Sequence, residues 1–546
     1  MTHSGPVTAR WLTRGAGACA IVLGALLLFR PVSSLALIVL ITVGGLLALA
    51  VGEFTGEHDH PRWARARAVA WLGAALVLVA WPDVGVRGLA IMVGLSLVVD
   101  GAIGLVAERR YLTGLASVIL GALALGWPDV TLIVLSALFA IRLLRFGLSQ
   151  FITVPSTRWW SKVKPGLALG GALVLLLISL TFNADKPHPD AFYDAPAPVP
   201  SAAGVLLRSE PFTRQVPAGA RAWRILYTTT RADGVPAVAS AIVLVPEAAS
   251  AAPRPVVAWA HGTTGYARGC APSLLSDPFE AGATPALSQV VRNGWAMVAT
   301  DYVGLGTAGP HPYLIGQGEG RSVLDAVKAA HDLPGVSLSQ RTAIWGHSQG
   351  GHAALWAGQL APTYAPDLDL VGVAALAPAS DLTGLVANLT TVRISSVFAS
   401  YVLQAYADTY PDVSFDHYVR ATARIPIREM ATRCLDEPEV FVSALSALLF
   451  GSSPWSRDPA SGALGRRLAE NTPVGTITAP LLIAQGEADT LVRPSMQQTY
   501  VEGRRARGGA VDYRTYPGQD HIGLVDDRSP LIADLLAWTT ARFGSS

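Results

Sequence analysis

The apolar residues of this 546-residue chain are concentrated at its beginning. Seven runs in the first 183 residues are nearly free of charge, near 16–29, 34–52, 66–81, 88–106, 112–126, 130–148 and 165–182. An α-helix needs about 17 to 25 such residues to cross a bilayer, so the shorter runs need tilt or flanking Arg and Trp residues. With 51% hydrophobic and 15% charged residues overall, the chain is too apolar for an ordinary soluble enzyme. The sequence therefore predicts an α-helical membrane domain with about seven transmembrane helices in residues 1–183.

The first six runs are arranged as three hairpins that recur about every 50 residues. The bends lie at Pro31, Pro82 and Pro128, and the last two share the tetrapeptide Trp-Pro-Asp-Val. Proline cannot continue a helix, and Trp favours the interface of a bilayer. We therefore predict three hairpin repeats plus a seventh helix at 165–182. Two alternatives are chance similarity of apolar sequence and, for the first run, a cleaved signal peptide.

Basic residues between the hairpins predict the orientation. Arg and Lys cluster before the first run, near 62–67, at 109–110 and at 158–164, all on one side of the predicted helices. Cytoplasmic loops carry such an excess, so an inside N-terminus and seven crossings place the rest of the chain on the extracytoplasmic face of the membrane. Residues 11–150 resemble the HdeD-like family of bacterial membrane proteins, whose six helices come as three hairpins. That resemblance implies a topology and an association with acid stress.

The character of the chain changes after residue 183. Five prolines between 187 and 200 predict an extended linker over 184–204. From residue 222, short β-branched runs such as VASAIVLV and PVVAWAHG alternate with amphipathic helical stretches. This alternation is typical of an α/β domain with a parallel sheet, which we place at 205–546.

A candidate nucleophile lies between one of these strands and a helix. Residues 346–350 read Gly-His-Ser-Gln-Gly, directly after RTAIW and before HAALWAGQLA. A serine on such a tight strand-to-helix turn needs small neighbours, which Gly346 and Gly350 supply. The pattern predicts a nucleophile elbow with Ser348 as the nucleophile of an α/β-hydrolase.

The acid and base of a catalytic triad follow in the order that this fold requires. Asp489 comes after the apolar strand LLIAQG, with Glu487 as the alternative acid, and we favour Asp489 because Thr490 to Pro494 follow it as in many hydrolases. His521 lies on the loop after VDYRTYPG and is the predicted general base. The histidine inside the elbow, His347, is expected to pack beside the serine.

Two N–H donors must stabilise the oxyanion of an acyl-transfer intermediate. The residue after the nucleophile, Gln349, supplies one. The second is expected from HGTTG at 261–265, with Thr263 favoured and Thr264 next. A simple tight turn is the alternative interpretation of HGTTG.

Several motifs together resemble the secretory lipase family over about 205–546: WAHGTTG, CAPS, TDYVGLGT, HPYLIG, GHSQGG and GEADTLVRP. The resemblance implies a Ser-Asp-His triad at Ser348, Asp489 and His521 and activity on acylglycerols or other esters. It also implies a helical lid, which we place at about 381–478, because a structureless loop of that length is improbable. Family members carry a disulfide at places comparable to Cys270 and Cys434, and we expect that bond here, in agreement with an oxidising compartment.

The sequence thus predicts a membrane-tethered, extracytoplasmic serine lipase or carboxylesterase that works through an acyl-enzyme. The expected partners are a lipid or ester substrate and the cell membrane. An acyltransferase with the same triad and a non-catalytic stress-related membrane protein are the alternatives. Three cysteines with no zinc spacing predict no metal, and the absence of a phosphate loop predicts no cofactor. A formal net charge of +2 without a basic tract argues against nucleic acid as a partner.

Overall fold

The computed structural model describes residues 17–25, 109–149, 151, 158–184, 187–389, 395–450 and 453–544, with scattered helical residues between 47 and 106. The chain divides into two compact units. The first, here called the helical unit, consists of residues 1–185, 416–429 and 441–456. The second, here called the sheet unit, consists of residues 186–415, 430–440 and 457–546. The expected lid insertion therefore contributes residues to both units.

In the N-terminal part of the helical unit, residues 1–185, three helices have defined bounds: α1 Tyr111–Gly126, α2 Pro128–Ser149 and α3 Arg158–Ala184. The predicted bend at Pro128 falls on the first residue of α2, while those at Pro31 and Pro82 lie outside the described residues. Glycines let α1 approach the helical residues before it. A Cβ on Gly114 would meet the carbonyl of Gly101 at 2.9 Å, and one on Gly121 would meet that of Gly94 at 2.7 Å. The later residue of α1, Gly121, meets the earlier residue of the preceding segment, Gly94, so the two segments pack antiparallel.

The prediction of about seven transmembrane helices is wrong for the part of the chain that the structure describes, where no helix is sufficiently long and apolar to cross a membrane. α1 has 16 residues and extends about 24 Å, less than the roughly 30 Å of a hydrocarbon core. The sequence of α2 carries charged residues at 129, 142 and 145. α3 begins with the stretch RWWSKVK, which carries three basic residues, and contains Pro165. The hydropathy runs at 112–126 and 130–148 coincide with α1 and α2 within two residues, whereas α3 begins seven residues before the run at 165–182.

A nine-stranded sheet forms the centre of the sheet unit. Its strands are β1 Leu206–Phe212, β2 Ala220–Thr230, β3 Pro236–Pro246, β4 Arg254–Ala260, β5 Ala296–Thr300, β6 Leu338–His347, β7 Asp369–Leu376, β8 Leu481–Gly486 and β9 Asp512–Tyr516. Their spatial order is β1-β2-β3-β5-β4-β6-β7-β8-β9. The pairs from β1 to β5 are antiparallel, and those from β5 through β9 are parallel. The carboxyl ends of the parallel strands therefore meet at one edge.

Alternate residues of the central strands fill two cores, one on each face of the sheet. In β4, Val256 and Ala258 belong to one core, and Val257 and Trp259 belong to the other. Both faces are covered, so these strands read as continuous apolar runs. Helices supply the cover: α4 Pro278–Ala281, α5 Leu287–Arg292, α6 Gly316–His331, α7 Gln349–Tyr364, α14 Pro494–Ala506 and α15 Pro530–Gly544.

The insertion between β7 and β8 is helical in its described part. Its helices are α8 Leu382–Leu389, α9 Ser396–Thr409, α10 Phe415–Tyr418, α11 Arg424–Ala431, α12 Val440–Leu448 and α13 Gly462–Asn471. A disulfide joins Cys270, in the loop after β4, to Cys434 between α11 and α12, with Cα atoms 5.2 Å apart. The bond ties this insertion to the loop that carries HGTTG.

Part of the proline-rich segment packs against the sheet. Residues Ala191–Tyr193 form a 3₁₀ turn, and Phe192 and Tyr193 are buried. The Tyr193 hydroxyl lies 2.8 Å from the Ser273 hydroxyl, and the Arg224 guanidinium lies 4.3 Å from the centre of the Phe192 ring. These aromatic contacts fix the segment that leads into β1.

Candidate active site

Ser348 lies on the turn between β6 and α7. Its backbone has φ 57° and ψ −115°, a conformation that L-residues rarely adopt. The turn is closely packed, because a Cβ on Gly346 would overlap the Gly350 carbonyl and one on Gly350 would overlap the Ala260 carbonyl. This geometry explains why Gly-x-Ser-x-Gly is needed, and it raises the serine hydroxyl above the edge of the sheet.

Loops after two further strands bring an imidazole and a carboxylate to that hydroxyl. His521 Nε2 lies 2.9 Å from Ser348 Oγ, and His521 Nδ1 lies 2.7 Å from Asp489 Oδ2. The Asp489 side chain is fully buried, whereas the His521 side chain retains 12% exposure. The three side chains thus form a continuous hydrogen-bonded relay from carboxylate to hydroxyl.

Backbone and side-chain donors hold Asp489 in place. Its Oδ1 accepts the N–H groups of Leu491 and Val492, both at 2.9 Å, and its Oδ2 accepts the amide of the buried Gln485 at 3.2 Å. The rival acid, Glu487, instead accepts the Thr515 hydroxyl at an exposed position. Of the two carboxylates, Asp489 is the one that contacts His521. Gln485 is a supporting residue that sequence reasoning missed, since no motif marks it.

His347 supports the general base from behind. Its Nε2 lies 2.9 Å from the backbone carbonyl of His521, and the two rings stand 4.8 Å apart. Burial, reinforced by the neighbouring His521, lowers the pKa of His347 to about 3. The ring is therefore neutral near pH 7, and its Nε2–H donates to that carbonyl. His347, which was expected to pack beside the serine, thus contacts the general base His521.

The small cavity at Ser348 contains both predicted oxyanion residues. Gln349 is the first residue of α7, so its N–H is one of those that a helix leaves without an intrahelical acceptor. Thr263 lines the same cavity, and its hydroxyl lies 2.9 Å from the Tyr313 hydroxyl. The hydroxyl of Thr264 instead donates to the Cys270 carbonyl. The structure thus brings Thr263, and not the Thr264 side chain, to the serine.

Apolar side chains close the remainder of the cavity. Leu385 and Leu389 come from α8, Phe398 comes from α9, and Leu491 and Val492 follow β8. The open volume is only about 20 Å³, close to that of one water molecule. An acyl chain requires more space than this cavity provides.

The chemistry available here is that of side chains and backbone donors. Among the described residues, no group of three or more His, Cys, Asp or Glu side chains could hold a metal ion. A hydroxyl, an adjacent base with its orienting acid and an apolar wall are the components of nucleophilic acyl transfer.

Comparison with known proteins agrees with this arrangement. Residues 283–546 match the family model for secretory lipases. The earlier part of the chain matches a short repeat of unknown function, DUF308, at 66–111 and again at 112–182. DUF308 is the HdeD-type family, so the two tandem matches agree with the repeat seen in the sequence.

Two curated relatives and one solved structure illustrate the likeness. A probable inactive lipase of Mycobacterium tuberculosis is 28% identical over 392 residues, which are 65% of this chain and 82% of that protein. A secreted triacylglycerol lipase of Malassezia globosa is 32% identical over 243 residues, which are 42% of this chain and 51% of that protein. Candida antarctica lipase A in its closed state superposes with a TM-score of 0.56 at 21% identity, covering 66% of this chain and 87% of that one.

These likenesses support different conclusions. The solved structure establishes the α/β-hydrolase fold of the sheet unit and, at that identity, the fold alone. The family model confirms the expected resemblance to secretory lipases and supports a lipase or esterase hydrolase. The chain spans about half of the Malassezia enzyme, and the mycobacterial relative is named a probable inactive lipase, so these likenesses do not by themselves show catalytic activity.

Proposed function

We propose that the sheet unit is a serine lipase or carboxylesterase that hydrolyses acyl esters through an acyl-enzyme intermediate. The observation that carries this proposal is the relay from Asp489 through His521 to Ser348, with contacts of 2.7 Å and 2.9 Å. Each residue follows the carboxyl end of a parallel strand, where this fold presents catalytic groups. The strained elbow and the two candidate oxyanion donors complete the set.

Acylation begins when Ser348 Oγ attacks the ester carbonyl and His521 Nε2 takes its proton. The carbonyl oxygen becomes an oxyanion, which the N–H groups of Gln349 and Thr263 stabilise. Asp489 keeps the proton of His521 on Nδ1 and stabilises the imidazolium. The imidazolium then protonates the leaving alkoxide, the C–O bond breaks, and the acyl group stays on the serine.

Deacylation repeats these steps with water. His521 removes a proton from a water molecule as its oxygen attacks the acyl carbon. The second tetrahedral intermediate collapses, Ser348 recovers its proton from the imidazolium, and a carboxylic acid leaves. One ester and one water thus give one acid and one alcohol, and no cofactor takes part.

The apolar wall supports an apolar acyl group as the substrate portion. Leu385, Leu389 and Phe398 cover the serine, and they belong to helices inserted between β7 and β8. An acyl chain that displaced these helices would replace their mutual contacts with its own apolar surface. Burial of each methylene contributes roughly 0.8 kcal/mol, so longer chains favour the displaced arrangement.

An extracytoplasmic location is part of the proposal. Its support is the Cys270–Cys434 disulfide, which persists in oxidising compartments, together with the match to secretory lipases. The multi-pass membrane placement expected from the sequence has no spanning helix among the described residues.

The test is hydrolysis of p-nitrophenyl esters, from acetate to palmitate, by the purified full-length protein. We expect turnover in the wild type and a loss of at least 10³-fold in Ser348→Ala, the scale at which loss of a triad member acts. Ser400→Ala is the matched control, because Ser400 is a buried serine whose hydroxyl donates to the Val397 carbonyl of its own helix. Equal activity in wild type and Ser348→Ala would contradict the proposal, as would inactivity of the folded wild type on these esters and on emulsified triacylglycerols.

A further inference from the structure

A buried carboxylate lies directly behind the nucleophile elbow, outside the triad. Glu319 is on α6 and is completely inaccessible to solvent. Its Oε1 accepts the side-chain amide of Gln349 at 2.8 Å and the backbone N–H of Leu314 at 2.9 Å. Its Oε2 lies 2.8 Å from His352 Nδ1. All three contacts are short, and none of them involves Ser348, Asp489 or His521.

Two of these contacts lead to the two sides of the proposed oxyanion site. Gln349 carries one candidate N–H donor on its own backbone, and Glu319 holds its side chain. Leu314 follows Tyr313, whose hydroxyl lies 2.9 Å from that of Thr263, the second candidate donor. Glu319 is therefore one residue bonded to both sides of the cavity in which the oxyanion would form.

The third contact allows a carboxyl group to remain buried there. His352 Nε2 lies 2.8 Å from the backbone carbonyl of Asn471, and because a carbonyl only accepts, Nε2 carries a proton. The hydrogen bond between Nδ1 and Glu319 Oε2 contains one further proton. Whether that proton sits on nitrogen or on oxygen, the Glu319–His352 pair carries no net charge. This neutrality avoids the large free-energy cost of an isolated buried charge.

The orientation of the Gln349 amide is fixed from a second direction. Its Nε2 also lies 3.0 Å from His311 Nε2. Burial lowers the pKa of His311 to about 3, so the ring is neutral near pH 7, and its Nδ1–H can donate to the Val303 carbonyl. His311 Nε2 is then an acceptor, and the two amide hydrogens of Gln349 point to Glu319 and His311.

We propose that Glu319 is a positioning residue of the oxyanion site, which holds Gln349 and the Tyr313–Leu314 segment so that the two N–H donors converge on the carbonyl oxygen of the substrate. The inference rests on the proposed ester hydrolysis. Preorganised donors stabilise charge that develops in the transition state, so loss of their alignment lowers kcat and leaves substrate binding largely unchanged. Glu319 makes no contact with the reacting atoms and transfers no proton in the reaction.

Three variants separate this role from a general structural one. Glu319→Met retains the length of the side chain and removes its hydrogen bonds. Glu319→Gln can retain all of them, since its oxygen accepts from Gln349 and Leu314 and its amide donates to Nδ1 of neutral His352. Asp325→Leu is the matched control, because Asp325 is another buried carboxylate on α6 but bonds the hydroxyls of Thr229 and Tyr364 instead.

The measurement is kcat and KM on a p-nitrophenyl ester that the wild type hydrolyses, with a trifluoromethyl ketone as a probe of oxyanion stabilisation. For Glu319→Met we expect a fall in kcat of about 100-fold, a similar rise in the inhibition constant of the ketone, and a change in KM below about threefold. Glu319→Gln is expected to keep kcat within about fivefold of the wild type. Asp325→Leu is expected to lower the melting temperature and to keep kcat within about threefold.

Several results would overturn the inference. One is a folded Glu319→Met protein with wild-type kcat and wild-type affinity for the ketone. Another is a folded Glu319→Gln protein whose kcat falls by 100-fold, since the reaction would then depend on the ionisable carboxyl group and not on the hydrogen bonds alone. If Glu319→Met does not fold, the Glu319→Gln result decides between the two roles. An inactive wild type would instead overturn the proposed function, and the inference with it.

Discussion

The two sides of Ser348 are constructed differently. On one side, here called the relay side, His521 and Asp489 reach the serine through two direct hydrogen bonds, and the imidazole is partly exposed. On the other, here called the oxyanion side, Gln349 and Thr263 are backed by polar groups that the solvent does not reach, Glu319 among them.

The difference follows from what each side has to do. His521 takes up a proton twice and releases it twice in each turnover, so this base must exchange partners with substrate and water. The oxyanion side has to stay fixed while charge develops in front of it, because donors that must reorganise stabilise the transition state less. A network of fully satisfied buried hydrogen bonds provides that rigidity.

The largest expected effect is on the relay side. Asp489→Asn should reduce kcat by roughly 10⁴-fold, since an amide favours the wrong tautomer of His521 while keeping the shape of the side chain. Glu487→Gln, its matched control, should change kcat by less than about twofold, because Glu487 contacts the Thr515 hydroxyl. Steady-state kinetics on one ester measures both. A larger loss for Glu487→Gln than for Asp489→Asn would show that Glu487, and not Asp489, is the acid of the triad.

The next effect concerns stability on the oxyanion side. The Cys270–Cys434 bond closes a loop of 164 residues, for which chain entropy predicts a stabilisation of about 5 kcal/mol. The double variant Cys270→Ser/Cys434→Ser should lower the free energy of unfolding by about 3 to 5 kcal/mol in urea titrations. Cys19→Ser is the control, because Cys19 takes no part in the bond. Equal free energies of unfolding for the double variant and the control would show that the Cys270–Cys434 bond does not stabilise the fold.

A smaller effect distinguishes the two threonines of HGTTG. Thr263→Val should lower kcat by about 10- to 100-fold, because its hydroxyl bonds Tyr313 beside the cavity and holds the loop in register. Thr264→Val should act mainly on stability, since its hydroxyl donates to the Cys270 carbonyl. Melting temperatures and kcat are measured for both variants. A loss of kcat in Thr264→Val and a loss of stability alone in Thr263→Val would show that Thr264, and not Thr263, belongs to the oxyanion site.

The smallest effect is one of pH. Burial lowers the pKa of His261 to about 4 and that of His347 to about 3, both below the ordinary value of 6.5. The unfolded chain therefore binds protons first on acidification, so stability present above pH 6.5 is lost as the pH falls towards 3. At pH 5 each such histidine lowers the free energy of unfolding by about 2 kcal/mol.

A variant separates the share of His347 from that of the other histidines. His347→Gln can still donate to the His521 carbonyl but does not titrate. The loss of unfolding free energy between pH 7 and pH 5 should be about 2 kcal/mol smaller than in the wild type. Urea titrations at the two pH values provide the measurement, and an unchanged loss would show that His347 is not held neutral.

The sequence was most informative where chemistry constrains the backbone locally. Gly346 and Gly350 mark the elbow because a Cβ at either position would overlap a backbone carbonyl. Strand ends located Asp489 and His521, and the long gap between β7 and β8 located the helical insertion. For the elbow, the acid and the base, one short stretch of sequence carries the constraint.

The oxyanion network could not be predicted in the same way. Glu319 lies 30 residues before Gln349 and 33 before His352, and its helix reads as an ordinary amphipathic one. No spacing rule connects residues that meet only because α6 and α7 pack on the same sheet. Gln485 was missed for a different reason: it lies only four residues before Asp489, but no motif marks it. Positions that act through a tertiary contact become visible only in the folded structure.

The helical unit shows the opposite limitation. Its sequence pattern is strong, and two tandem repeat matches agree with it. Hydropathy runs matched the bounds of α1 and α2 within two residues but missed the start of α3, which begins at Arg158 instead of near residue 165. Composition describes the environment that a segment favours, whereas capping and charge decide where a helix starts and stops.

Covalent trapping of Ser348 tests most directly whether this serine is the nucleophile of the proposed ester hydrolysis. Purified protein is incubated with a long-chain alkyl fluorophosphonate, digested and analysed by mass spectrometry, beside the Ser348→Ala and His521→Gln variants. The account predicts one phosphonylated peptide, modified at Ser348, no labelling in Ser348→Ala, and labelling slowed by at least 100-fold in His521→Gln. Labelling of a different serine, or none in a folded wild-type protein, would contradict it.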